Sequence, residues 1–149
     1  MGLFDVFNNL RKSADKALNP EYAKNKDFLE AACALCASVA AADGNIEESE
    51  RDATVTILTT HPKLGTLYST QEIKSCAETM FSRAVTNMGR LSLQRELDDI
   101  KGKGQDMAQD VYMIALDVAG ADGNVGEDEE KVLERFATRL GVDVRSLGL

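Results

Sequence analysis

The sequence predicts an all-α fold: a single helical domain, residues 1–149, built as a bundle of about seven helices. Three observations carry this. Apolar residues recur at three- and four-residue steps, no stretch alternates at period two for long enough to form a strand, and only Pro20 and Pro62 interrupt the chain. With 149 residues and 44% hydrophobic content, the chain buries a substantial core and is not a disordered segment.

The first helix is expected over residues 3–18, an amphipathic segment with Leu3, Phe4, Phe7, Leu10, Ala14 and Ala17 on one side and Arg11, Lys12 and Lys16 elsewhere. Asn19-Pro20 stops it. The second, 26–42, carries Phe28, Ala32, Leu35 and Val39 at steps of four, three and four, a core-facing stripe. A third follows over 46–59, so that 26–59 form one helical hairpin. His61 precedes Pro62 in a loop and is expected at the surface. Ser69-x-x-Glu72 offers a capping box for a helix reaching about residue 87, with Ile73, Ala77, Met80, Ala84 and Met88 as its stripe. A shorter helix over 92–101 ends in Gly102-Lys103-Gly104. A second hairpin spans 105–140. Its first helix, 105–119, carries Met107, Val111, Ile114 and Val118, again at four, three and four; its second, 125–140, carries Val132, Phe136 and Leu140. Gly141 is a natural stop, and 143–147 add one last turn.

The two hairpins share a repeat. Val39-Ala-Ala-Ala-Asp-Gly-Asn-Ile-Glu-Glu-Ser-Glu50 recurs as Val118-Ala-Gly-Ala-Asp-Gly-Asn-Val-Gly-Glu-Asp-Glu129, with eight of twelve positions identical at an offset of 79 residues. Each copy ends one amphipathic helix and starts another, which makes the hairpins pseudo-symmetric. Gly44 and Gly123 suit the left-handed residue that ends a helix, and Asn45-x-x-Glu48 and Asn124-x-x-Glu127 read as capping boxes. Capping on this register leaves Asp43, Glu50, Asp122 and Glu129 unexplained.

Extending the first helix stripe by four lands on Asp43, and extending its counterpart lands on Asp122; Glu50 falls on the stripe Ile46, Ala53, Ile57 and Glu129 on the stripe Val125, Val132, Phe136. A carboxylate leaning into an apolar face is costly unless it is paired, hydrogen-bonded or bound to a cation. The four are therefore candidate metal ligands, with Glu47 and Asp128 as additional ones. Ca²⁺, Mg²⁺ or Mn²⁺ would suit such oxygen donors. The alternative is a solvated acidic turn. An EF-hand does not fit: Asp-Gly-x-Ile-x-x-x-Glu matches loop positions five to twelve, but positions one and three fall on Val39 and Ala41, and on Val118 and Gly120, which carry no side-chain oxygen.

Two Ala-Asp-Gly-x-[Ile/Val]-x-x-x-Glu elements in a small acidic helical chain resemble the TerB family of tellurite-resistance proteins, over essentially the whole sequence. The resemblance implies about seven helices and a bacterial cytoplasmic protein of a tellurite and stress response. It implies metal-site positions at Asp43, Glu50, Asp122 and Glu129. It also implies a TerC-like integral membrane partner and TerD-like calcium-binding partners, met at the inner face of the membrane as a peripheral association. Gly126 stands where the first copy has Glu47, so the two copies need not be equivalent.

Other chemistries fit less well. The net charge of −8 disfavours nucleic acid, whose phosphates need clustered Lys and Arg. The acidic repeats also argue against direct capture of an anion such as tellurite. The longest apolar run, 31–42, reaches about 18 Å as a helix against a bilayer core of about 30 Å. Met1-Gly-Leu-Phe-Asp5 lacks the features of an export signal, so a cytoplasmic chain is expected, with Cys33, Cys36 and Cys76 reduced. Cys33-x-x-Cys36 is the start of an enzyme reading, a metal- or thiol-dependent catalyst acting on a tellurium oxyanion or stress metabolite. A redox pair needs an exposed, activated thiol, whereas these two sit inside an Ala-rich helix. Cys33, Cys36, Cys76 and His61 do not have zinc-finger spacing. No phosphate-binding glycine loop is present, and no organic cofactor is expected. Charge is segregated: residues 43–52 carry a local −4, 117–134 a local −6 and 1–26 a local +2. The expected role is a non-enzymatic, cation-binding adaptor. The basic amphipathic segment at the start is expected to pack on its own bundle, with an anionic membrane or a partner as its other destinations.

Overall fold

The computed structural model describes residues 17–42, 44–121 and 125–143. Among these the protein is all helical: α1 (Asp27–Ala40), α2 (Glu48–Thr60), α3 (Thr70–Arg83), α4 (Asn87–Asp98), α5 (Gln105–Ala119) and α6 (Glu127–Leu140), with 3₁₀ turns at Pro20–Lys24, Leu64–Thr66 and Lys101–Lys103. The expected count of seven thus becomes six α-helices among the described residues. The helix expected over 3–18 falls mostly outside them, and so does the turn expected at 143–147 except for Asp143. Residues 17–19 are not helical, because Asn19 is extended and its side chain accepts the Glu21 N–H at 3.0 Å to start the 3₁₀ turn.

α1 is buried on every side. Ten of its residues, from Phe28 to Val39, are buried, and its alanines let neighbouring helices approach closely. It packs most extensively against α5, then α3 and α4, and also touches α6 and α2. Direction follows from three contacts. Lys103, just ahead of α5, pairs with Asp27 at the start of α1, and the Tyr22 hydroxyl donates to Asp110 at 2.6 Å. At the opposite ends, Val39 and Ala40 share a cleft with Val118 and Ala119. α1 and α5 therefore run parallel, and the hairpins α1–α2 and α5–α6 turn at the same end of the bundle.

The corner between α3 and α4 departs from the expected helix boundaries. α3 opens on the predicted capping box, with Ser69 Oγ accepting the Glu72 N–H at 3.1 Å and Glu72 accepting the Ser69 N–H at 3.2 Å. It ends at Arg83 rather than near 87, because Thr86 starts a new helix by accepting the Gly89 N–H at 2.9 Å. A Cβ at Gly89 would lie 1.7 Å from the Arg83 carbonyl oxygen, so a glycine is what allows α4 to cross so close to α3. Met88 thereby leaves the predicted stripe and stands 75% exposed. α4 also begins and ends earlier than the expected 92–101.

Ion pairs tie the outer helices together. Arg139 grips Asp98 with two bonds, 3.0 and 2.8 Å, and Arg83 reaches Glu96 at 2.8 Å. Glu30 of α1 lies beside Glu96, where burial first, then the hydrogen bond and charge of Glu96, push its carboxyl above its ordinary value of 4.5. The folded state therefore holds this proton more tightly than the unfolded chain. Its contribution is present below pH 4.5 and is lost as pH rises through the raised value. Glu30→Gln keeps a donor toward Glu96 without the charge. It is expected to raise the melting temperature at pH 7, with the gain over the native chain disappearing below pH 4.5 in calorimetry.

Candidate functional site

The two repeats fold alike. α1 ends with the Ala41 N–H on Ala37 O at 3.1 Å and the Ala42 N–H on Val39 O at 3.1 Å; α5 ends with the Gly120 N–H on Leu116 O at 2.9 Å and the Ala121 N–H on Val118 O at 3.3 Å. Each pair of bonds is related by the sequence offset of 79. Gly44 takes the left-handed conformation that its position calls for, φ +83°. The helices stop at Ala40 and Ala119, three residues short of the positions to which their stripes were extended. Asp43 and residues 122–124, including Asp122 and Gly123, lie outside the described residues.

The return helices start two residues later than the proposed Asn caps. Glu47 and Gly126 are the N-cap residues, so neither Asn45 nor Asn124 holds that position. The reason is a short non-helical approach, in which Ile46 and Val125 pack against the core before each helix begins. This register puts Glu50 and Glu129 at the third helical position, the place from which a glutamate reaches back to the cap. Glu129 does so, accepting the Gly126 N–H at 3.3 Å. Gly126 has no side chain to reciprocate, so half of a capping box forms. Capping thus supplies a structural role for Glu129 that a cap at Asn124 does not. Glu50 is exposed, and Glu47 at its N-cap makes no side-chain cap bond.

Between the hairpins lies a cleft of about 450 Å³. Cys36, Val39 and Ala40 of α1 and Ala115, Val118 and Ala119 of α5 form its apolar floor. Ala53, Thr54 and Ile57 of α2 form one wall. Glu50 stands on one side of the mouth, and Gly126, Glu127, Asp128 and Glu129 on the other. Ala53 and Ile57 therefore continue the stripe of Glu50, but this stripe borders the cleft rather than the core. The structure brings Glu50, Glu129 and Asp128 to one opening, whereas the sequence reading placed them in separate sites. Glu47 is not among the residues that line it. No lysine or arginine is found among the described lining residues, and among the described residues no three His, Cys, Asp or Glu side chains are close enough to hold a metal by themselves. The walls give apolar contact and the rim a negative field, a combination suited to a cation or a basic ligand.

His61 is a correction. It was expected at the surface, yet it is buried, with Nε2 2.9 Å from Asp117 Oδ2 and Nδ1 accepting the Lys63 N–H at 3.2 Å. With Nδ1 acting as acceptor, the proton sits on Nε2 and is donated to Asp117. Both ring nitrogens are engaged, which leaves none for activating a thiol. Cys36, on the cleft floor, is buried and pushed up to about 12, by desolvation first and then by the charge of Asp117. The signal for a buried His61 was Asp117, a lone acid on an otherwise apolar stretch of helix, but only tertiary packing pairs the two.

With this geometry in place, the family model described as "Tellurite resistance protein TerB" matches residues 29–148. The chain belongs to the TerB family. No curated protein and no solved structure matches it. The matched span takes in both repeats and all six described α-helices except the first two residues of α1. Family membership supports a role associated with tellurite resistance. Among the described residues, no helix is long and apolar enough to cross a membrane.

The His61–Asp117 bond joins the chain after α2 to α5, across the boundary between the two hairpins. His61→Ala should lower the unfolding free energy by about 1–3 kcal/mol, because it deletes a buried ring together with its hydrogen bond to the partly exposed Asp117 carboxylate. His61→Gln should retain part of that loss; urea unfolding of both variants checks the order.

Proposed function

We propose that this TerB-family chain is a non-enzymatic adaptor whose two acidic turns take up a divalent cation and present a docking surface at their shared end of the bundle. The observation that carries the reading is the convergence of Glu50 and Glu129, one from each repeat, on one cleft with no base among its described lining residues. Asp43 and Glu50 serve as ligands from the first copy and Asp122 and Glu129 from the second, with Asp128 and Glu47 as additional donors. Ca²⁺, Mg²⁺ and Mn²⁺ match such a set of carboxylates. A bound cation offsets the repulsion between the two acidic turns and fixes their spacing. The ordered end then meets a TerC-like integral membrane protein and TerD-like calcium-binding partners, which places the chain at the inner face of the membrane. Resistance in this scheme is indirect, through assembly rather than through chemistry on the oxyanion.

Amide NMR during titration with Ca²⁺, Mg²⁺, Mn²⁺ or Zn²⁺ tests the cation step. Saturable shifts centred on Gly44 and Gly123, lost in Glu50→Gln/Glu129→Gln, are the expected result. Glutamine at 129 still offers an oxygen to the Gly126 N–H, so the fold is retained. Flat titrations at millimolar metal would overturn cation binding and leave two capped acidic turns.

A further inference from the structure

Among the described residues, the large apolar side chains left exposed are Val85, Met88 and Leu91, and all of them lie on the corner between α3 and α4. The corner is braced: Thr86 Oγ1 accepts the Gly89 N–H at 2.9 Å, and Arg90 donates to the Ala84 carbonyl at 2.9 Å and to the Asn87 side chain. A fixed apolar patch held in water marks a contact surface. Its charge also differs from that of the chain as a whole. Residues 83–95 contain Arg83, Arg90 and Arg95 and no acid, in a protein of net charge −8. Arg83 is answered by Glu96 at 2.8 Å, whereas the bonds of Arg90 go to neutral groups and leave its charge for a partner.

The cleft between the hairpins has the complementary character. Its floor and wall are apolar, Glu50, Glu127 and Asp128 stand at its mouth, and no base is found among its described lining residues. Ile57 on the wall is half-buried and is not part of the core cluster, so its apolar surface serves the cleft rather than the core. α3 and α4 contribute none of the described lining residues, and a braced corner on those helices does not swing into its own cleft. We propose that the α3–α4 corner of one copy of this chain seats in the cleft of a second copy, with its apolar side chains against Ala53 and Ile57 and Arg90 facing the acidic rim. The cleft, at about 450 Å³, falls within the range of roughly 300–1,000 Å³ of sites that take sizeable apolar groups, and the flexible thioether of Met88 suits an irregular floor. The contact joins two unlike surfaces. Each added copy therefore leaves one corner and one cleft free, and the assembly grows head to tail or closes into a ring. This self-association goes beyond the adaptor reading and does not rest on cation uptake at the rim.

Sedimentation velocity of the full chain over a range of concentrations, at low salt and with a chelator present, tests the pairing apart from any metal. The expected result is a mass that rises with concentration and falls back as salt screens the Arg90 contact. Met88→Glu places an acid at an exposed site in the first turn of α4, where the helix dipole favours it, and Ala53→Gln/Ile57→Gln changes the cleft wall outside the core cluster. Each variant should weaken association by about tenfold or more while circular dichroism stays native. Mixed together, the two variants still offer one intact cleft and one intact corner, so they should form a one-to-one dimer that grows no further. A one-chain mass at every concentration, association that survives in either variant, or a mixture that fails to pair would each overturn the proposal.

Discussion

The burial of α1 on all sides is the constraint on which the rest of the structure depends. A helix that presents alanine, cysteine, leucine and phenylalanine around its whole circumference has no solvent face, and must be enclosed by other elements. Its enclosure by α3, α4 and α5 sets the positions of those helices, and the parallel course of α1 and α5 then follows from the ties at their starts, Lys103 to Asp27 and Tyr22 to Asp110. Because the repeat makes both helices end in the same turn, parallel packing carries the two acidic elements to one end. The cleft is thus a consequence of the core rather than a separate feature.

At that end, helix electrostatics and site electrostatics are hard to separate. Acidic residues in the first turn are favoured by the helix dipole, and Glu129 also satisfies a backbone donor. Those effects explain acids at the start of each return helix, but they act on each helix alone. They do not call for two such starts to face one opening with an apolar floor, an arrangement that concentrates repulsion. The proposed cation relieves that repulsion, and the proposed docking role uses the surface it orders.

Much of the fold was legible in the sequence. The boundaries of α5 coincide with the expected 105–119, Gly141 takes the predicted left-handed stop at φ +73°, and the Ser69–Glu72 capping box forms. These are local signals, carried by a clear stripe or a specific cap. The failures share a different cause. Asparagine at a helix start is a strong local signal and points to Asn45 as a cap, yet packing of Ile46 against the core delays the helix by two residues. Met88 continued a stripe by spacing alone, whereas the Thr86 cap and the close approach at Gly89 start a new helix there. His61 looked superficial beside Pro62, and only its partner on α5 makes burial tolerable. For the site, the residue types were legible from the repeat, but their sharing of one cleft was not, since spacing within each copy says nothing about how α1 meets α5.

The most direct test of this account is carboxylate cross-linking of the native chain with a short dihydrazide after carboxyl activation, mapped by mass spectrometry at a concentration where chains do not meet. Convergence of the two acidic turns predicts intramolecular links from Glu50 to Glu127, Asp128 or Glu129, lost on unfolding. Links confined within each repeat would contradict the shared cleft, and with it the common site on which the proposed function rests.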